Sequence, residues 1–201
     1  MVDEQHVFVV DDDPGVRDSI RMLLESVPFP VLSFPSAYSF LNDAAAKSGC
    51  LVADVRMPDM SGLELQEEII RREMELPVII ITGHGDVPLA VQAMKAGAVD
   101  FIEKPFEDER IVASVSHALE LGSRARNRTA EAKAAKNLLS LLTPRERSVL
   151  DKLVKGRSNK VAAHELGISP RTIEIHRAHI MDKMKAMNLS DLVRTALAAQ
   201  V

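Results

Sequence analysis

The chain has 201 residues, 46% hydrophobic and 27% charged, a balance that fits a globular protein and excludes a mainly disordered one. Nine Gly and ten Pro exclude a collagen-like or low-complexity chain, and 3% aromatic residues with no Trp argue against a base-stacking RNA platform. The net charge of −4 hides a split: residues 1–122 carry 9 Lys and Arg against 22 Asp and Glu, and residues 123–201 carry 16 against 7.

The first 122 residues alternate short β-branched runs with amphipathic stretches. Strands are expected at His6–Val10, Val31–Phe34, Cys50–Val55, Val78–Ile81 and Val99–Ile102. Helices are expected between and after them, at Pro14–Val27, Ser36–Ala46, Ser61–Met74, Val87–Ala96 and Glu107–Leu121. Parallel neighbours need helical crossovers, which cover both faces, and runs such as Val78-Ile79-Ile80-Ile81 suit strands buried on both sides. The expected fold is therefore α/β, a doubly wound five-stranded parallel sheet.

Residues 122–137, GSRARNRTAEAKAAKN, lack an apolar stripe wide enough to bury, so 123–137 reads as a linker whose helix-competent composition allows it to extend the preceding helix as a semi-rigid spacer. Residues 138–201 read as a small all-α domain. Thr143-Pro144-Arg145-Glu146 is a capping box with Pro in the first turn, opening a helix that ends near Gly156. A short helix from about Ser158 to Leu166 stops at Gly167, a third runs from Ser169-Pro170 to about Lys185, and a fourth covers Ser190–Gln200. A short helix, a Gly-containing turn and a longer helix make a helix-turn-helix pattern.

In a doubly wound sheet, ligands bind beyond the carboxyl ends of the strands. Asp11, Asp12 and Asp13 follow the first strand, Asp54 lies at the end of the third, Thr82 follows the fourth and Lys104 the fifth. Crowded carboxylates repel unless a cation enters, and hard oxygen ligands suit Mg²⁺. A carboxylate is also a nucleophile able to form an aspartyl phosphate, with Lys104 and Thr82 placed to neutralise and hydrogen-bond the phosphoryl oxygens. Helix and turn capping is the competing use of these aspartates, and for Asp13, beside Pro14, it is the better one. His84 is read as an exposed loop histidine, His6 and His117 as surface or satisfied histidines, and Cys50 as a small core residue. Met22, Met57 and Met60 are read as gap fillers.

The segments VFVVDDDPGVRDSI, LVADVRMPDMSGLEL, PVIIITGHGD and AGAVDFIEKPF resemble the receiver domain of two-component response regulators, over about the first 120 residues. The resemblance implies a flavodoxin-like sheet of order 2-1-3-4-5 in a receiver domain spanning 1–122. It also implies that Asp54 accepts a phosphoryl group from a sensor histidine kinase. Asp11, Asp12, Asp54 and the backbone carbonyl of Arg56 would then hold Mg²⁺, Thr82 and Lys104 would contact the phosphoryl group, and the Lys104–Pro105 bond would be cis. Thr82 and Phe101 match the family's switch pair.

On the third C-terminal helix, Ile173, Ile180 and Met184 share one face, expected to pack on Leu150, Leu153, Val161 and Leu166. Arg171, Ile175, Ala178 and Asp182 lie opposite, flanked by Glu174. If that helix enters a DNA major groove, Arg171, Glu174 and Ile175 are placed for base edges, with Glu suited to cytosine N4 and Ile to a thymine methyl. Lys160, Thr172, His176 and Lys183 are better placed for phosphates. His176 and His179 share i,i+3 spacing but have no Cys or carboxylate pair to complete a metal site. LTPRERSVLDKLVKGRSNKVAAHELGISPRTIEIHRAHIMDKM resembles the LuxR-type helix-turn-helix, which implies sequence-specific binding of double-stranded promoter DNA at paired half-sites. The final helix, with Leu192, Val193, Ala196 and Leu197, would supply a dimer contact, with packing inside one subunit as the rival use.

The whole chain resembles regulators of the FixJ type, the nitrogen-fixation activators of rhizobia, which implies a kinase, promoter DNA and RNA polymerase as partners. Phosphorylation would change the helix Val87–Ala96 and the strand Val99–Ile102 and produce a homodimer, with Val91 and Lys95 at its surface. Such a protein turns over no separate substrate and takes part only in its own phosphoryl transfer and dephosphorylation. The alternatives are an aspartyl-phosphate phosphatase, which often carries an acid where Arg56 stands, and a receiver acting on a protein partner. The longest apolar runs fall far short of the ~20 residues a membrane helix needs. A single cysteine and an N-terminus opening with Asp3 and Glu4 read as a soluble cytoplasmic protein with no membrane partner.

Overall fold

The computed structural model describes residues 5–25, 30–43, 48–83 and 87–199. His84 and the expected helix ends at Val27, Ala46 and Gln200 lie outside the described residues. The chain forms two compact units, Met1–Arg126 and Asn127–Val201.

In the first unit, strands β1 (His6–Val10), β2 (Val31–Phe34), β3 (Gly49–Asp54), β4 (Val78–Thr82) and β5 (Asp100–Glu103) form one parallel sheet of order β2-β1-β3-β4-β5. Between them run helices α1 (Pro14–Glu25), α2 (Ala37–Asn42), α3 (Gly62–Arg71) and α4 (Val87–Lys95), and α5 (Asp108–Ser140) follows β5. Alternate side chains of a strand serve opposite faces. Val7 and Val9 of β1 thus join Ile20 and Leu24 of α1 and Ile111 and Val115 of α5 in one core. Phe8 and Val10 join Phe40 of α2, Leu65 and Ile69 of α3 and Ala93 of α4 in the other. Every residue of β3 and β4 is buried, and each buried Ile or Val contributes ~1.5–3 kcal/mol. Cys50 lies within this sheet, fully buried, and burial pushes its thiol up to about 12.

The register aligns the carboxyl ends of the strands. Val10 pairs with Ala53, Asp54 with Ile81, and Thr82 with Glu103, so Asp11, Asp54, Thr82 and Lys104 emerge at neighbouring levels of one sheet end. Behind Asp54, α3 starts unusually close. Ser61 and Glu64 close a capping box, and the Gly62 amide donates to the Val55 carbonyl at 3.1 Å.

Helix α5 runs past Leu121 for 33 residues in all, and segment 123–137 is helical throughout, the extension of the preceding helix that its composition allowed. Its composition explains this: no Pro interrupts it before Pro144, Ala is the best helix former, and Gly122 is the single Gly.

The second unit adds α6 (Pro144–Val154), α7 (Asn159–Leu166), α8 (Pro170–Lys183) and α9 (Leu189–Ala198) around a core that includes Val149, Leu150, Leu153, Ile173, Ile180 and Met184. Val161 is 42% exposed and does not join the expected packing; Ala162 and Ala163 present the buried face of α7 instead. Asn188 caps α9, which starts at Leu189, one residue before the expected Ser190. Leu192 and Ala196 are buried in the core, which leaves only Val193 and Leu197 of the four residues expected at a dimer contact with exposed surface. Met22, expected to fill a gap, is 67% exposed, whereas Met57 is buried and Met60 packs against the core.

A Cβ on Gly62 would lie 2.3 Å from the Asp54 carbonyl oxygen, a backbone atom that cannot swing aside. Gly62→Ala should therefore lower stability by ~1–3 kcal/mol in urea unfolding followed through the first unit, by forcing α3 away from the Asp54 loop. A variant as stable as the parent would show that this approach is not tight.

Candidate functional site

The acidic end of the sheet is organised by one ammonium group. Lys104 Nζ donates to Asp11 Oδ2 at 2.8 Å and to Asp54 Oδ1 at 2.6 Å, joining the ends of β1, β3 and β5. Asp11 and Asp54 are 3% and 8% exposed, so these are partly desolvated, charge-assisted hydrogen bonds. Burial opposes the lysine's charge, yet the bonds and charges of the two carboxylates outweigh it and hold its pKa above the ordinary lysine value. The remaining carboxylate oxygens are held by backbone: Asp13 N–H donates to Asp11 Oδ1 at 2.9 Å, and Arg56 N–H to Asp54 Oδ2 at 2.6 Å. Thr82 is buried beside them at the end of β4, and the Lys104–Pro105 peptide is cis.

The other expected residues of this end take different places. Asp12 and Arg56 are exposed, and Phe101 is half-buried against the core that holds α4. Asp13 is a cap, its Oδ1 accepting from Gly15 and Val16 N–H at 2.7 and 3.3 Å. Val91 and Lys95 are exposed on α4, together with Val87 and Met94. Sequence reasoning missed Arg17, whose Nη1 donates to the Asp11 carbonyl at 2.7 Å from the second turn of α1. No spacing rule signals that contact.

Two buried carboxylates offer hard oxygens at this point. Among the described residues no three His, Cys, Asp or Glu side chains group closely enough to hold a metal by themselves. The donor set therefore fits a cation that takes one or two carboxylates and completes its shell with water and a phosphate, the habit of Mg²⁺, and not an all-protein cage.

In the second unit, Ser169 caps α8, accepting from Thr172 N–H at 3.1 Å, and Gly167 ends α7 in the left-handed conformation. Lys160, Arg171, Glu174, Ala178 and Asp182 are exposed, and Ile175 is 50% exposed, so the face opposite the core is available. Thr172 is half-buried and engaged with the Ser169 cap. His176 is half-buried too, with Nδ1 buried and unpartnered among the described residues. Lys183, expected at a phosphate, donates its ammonium to Glu146 Oε2 at 2.7 Å, across 37 residues. Arg177 Nη1 donates to Asn159 Oδ1 at 2.7 Å and Arg145 Nη2 to the Leu166 carbonyl at 2.7 Å. These contacts tie α8 to α7 and α7 to α6, and sequence reading identified only the cap at Glu146.

Lys183 first, and then the Thr143 backbone N–H, bring the Glu146 carboxyl from 4.5 down to about 2. Because its folded value is depressed, the stabilisation it contributes is present above pH 4.5 and is lost as pH falls toward 2. Acid unfolding of the second unit should show this loss, and Glu146→Gln should flatten it; superimposable acid profiles would contradict the assignment.

Comparison with known proteins matches these two units to two families. The response regulator receiver domain matches residues 7–116, and the bacterial regulatory proteins of the luxR family match residues 140–196. The chain is 48% identical over 200 residues to the transcriptional regulatory protein FixJ of Bradyrhizobium diazoefficiens, covering 99% of this chain and 98% of that one. It is similar to the solved structure of the response regulator StyR, with a TM-score of 0.83 and 42% identity over 96% of this chain and 98% of the other. Full-length FixJ from B. japonicum gives a TM-score of 0.60 and 47% identity over 98% of each chain. An acidic pocket at the end of a 2-1-3-4-5 sheet, joined to a helix-turn-helix unit, thus belongs to a transcription regulator of the response regulator family, with a receiver domain and a LuxR-type DNA-binding domain.

Proposed function

We propose that Asp54 is the phosphoacceptor and that its phosphorylation by a sensor histidine kinase drives promoter binding. The observation that carries this reading is the Lys104 ammonium, which contacts Asp54 and Asp11 together at 2.6 and 2.8 Å. A carboxylate oxygen of Asp54 attacks the phosphorus of a phosphohistidine; the new P–O bond forms as the P–N bond breaks, and the imidazole nitrogen leaves with the electron pair. Lys104 and the Thr82 hydroxyl then take the phosphoryl oxygens. Asp11, Asp12, Asp54 and the Arg56 carbonyl would hold Mg²⁺, which when bound supplies positive charge against the incoming phosphoryl group.

The modification adds ~1.5–2 negative charges at a desolvated point. Drawing Thr82 toward them leaves room for Phe101 to turn inward. Both changes act on α4 and β5, where the exposed Val91 and Lys95 would form the homodimer surface. Dimerisation places two α8 helices about one DNA turn apart, ~34–36 Å, with Arg171, Glu174 and Ile175 toward bases and Lys160, Thr172 and His176 toward phosphates. RNA polymerase is the onward partner. Likeness to the FixJ type supports nitrogen-fixation genes as the targets in this reading, and the single buried Cys50 fits a cytoplasmic setting.

Intact-mass spectrometry after acetyl phosphate and Mg²⁺ should find one PO₃ adduct on wild type and none on Asp54→Asn. Wild type treated with beryllofluoride should sediment as a dimer, while Asp54→Asn stays monomeric. An adduct on another side chain, or equal labelling of both proteins, overturns the proposal.

A further inference from the structure

We propose that Glu146 and Lys183 form a positioning pair that sets the tilt of the DNA-reading helix, so that Lys183 acts on sequence recognition through Glu146 and not through a phosphate. This deepens the DNA-binding reading given above and rests on it.

Glu146 sits in the first turn of α6 with 3% of its surface exposed. Its Oε2 accepts from Thr143 N–H at 2.8 Å, from the Thr143 hydroxyl at 3.0 Å and from Lys183 Nζ at 2.7 Å. His179 Nδ1 lies 4.0 Å from Oε1, one helical turn before Lys183 on the same side of α8. A capping box alone requires only the reciprocal Thr143 and Glu146 contacts. The same carboxylate here also fixes the C-terminal end of α8 to the start of α6.

That end is a lever for the other. Arg171 stands twelve residues before Lys183, about 18 Å along the helix at 1.5 Å per residue. A tilt of roughly 3° at Lys183 would displace the base-facing turn by about 1 Å over that length, enough to spoil bidentate hydrogen bonds to base edges. Phosphate contacts made by long, flexible side chains tolerate such a shift better. Loss of the pair should therefore cost specificity and leave the electrostatic part of binding in place.

The test uses the full chain and two duplexes: one selected from a random-sequence pool by wild-type protein, and a scrambled version of it. Glu146→Gln keeps a side-chain acceptor for the cap but removes the charge. Lys183→Met removes the other partner, and Lys183→Arg retains it. Glu146→Gln and Lys183→Met should each bind the selected duplex about tenfold more weakly, a change of ~1.4 kcal/mol, and bind the scrambled duplex within about twofold of wild type. The double variant should be no weaker than either single variant, and Lys183→Arg should lie within about twofold of wild type. The salt slope of every variant should match that of wild type.

A slope reduced by about 0.9 for Lys183→Met would make Lys183 a phosphate contact and overturn the proposal. So would additive losses in the double variant, or a lower melting temperature with unchanged preference for the selected duplex. Circular dichroism keeps each comparison on folded protein, and if Glu146→Gln unfolds, the two Lys183 variants decide through specificity and slope. Wild type that selects no duplex and binds DNA without salt dependence would refute the DNA-binding reading itself, a result distinguishable from failure of the pair.

Discussion

Asp11 and Asp54, two buried carboxylates from different strands, share one ammonium, and the acidic end of the sheet is built around that arrangement. Like charges brought together in a partly desolvated place repel, and each also loses hydration. Lys104 offsets both effects from the loop after β5, and the backbone N–H groups of Asp13 and Arg56 hold the oxygens it does not reach. The resulting balance is local and polar, and it stands on an apolar sheet whose register brings the participants level. A ligand that adds negative charge here must rearrange the lysine, because no other Lys or Arg side chain is bonded to these carboxylates among the described residues.

In the second unit a carboxylate has the complementary task. Glu146 receives an ammonium and two donors of its own cap, so a group that would serve in any helix to satisfy the first turn also joins two helices. Arg177 with Asn159 does the same between α7 and α8. The basic surplus of this unit is thus partly consumed internally, and the count of Lys and Arg in residues 123–201 overstates the charge left for a polyanion. Lys152, Lys155, Arg157 and Arg194 are likewise engaged with Glu165, Asp151 and Asp191.

Much of this was legible before any coordinates. The parallel, doubly wound build and the gathering of Asp11, Asp54, Thr82 and Lys104 at the strand ends follow from a strand-helix alternation with apolar runs, whereas the sheet order is what the resemblance to receiver domains implied. The cap at Thr143 is local and was readable from four residues, and the helices starting near Ser61 and Ser169 were placed by the same kind of local signal. Lys183 with Glu146, and Arg17 with the Asp11 carbonyl, were not readable. Helical spacing tells which side of a helix a residue occupies but not which distant group meets it. The continuity of α5 was left open for another reason: without an apolar stripe residues 123–137 read as a spacer that could extend the preceding helix, and Ala132 and Ala135 are small enough to be buried without making such a stripe. Val161 shows the same bias toward bulk, since Ala162 and Ala163 take the place the larger side chain was expected to fill.

Cys50 gives the receiver a built-in gauge of its own opening. Its sulfur lies in β3 between β1 and β4 with no solvent contact, and a thiol held near 12 supplies almost no thiolate at neutral pH. An alkylating reagent can modify it only in molecules where the sheet or the covering helices α1 and α5 have opened, so the labelling rate counts those rare excursions. Because the chain has no second cysteine, a reactive thiol engineered anywhere on the surface could be tagged first, leaving the native one to report on the sheet in the same sample.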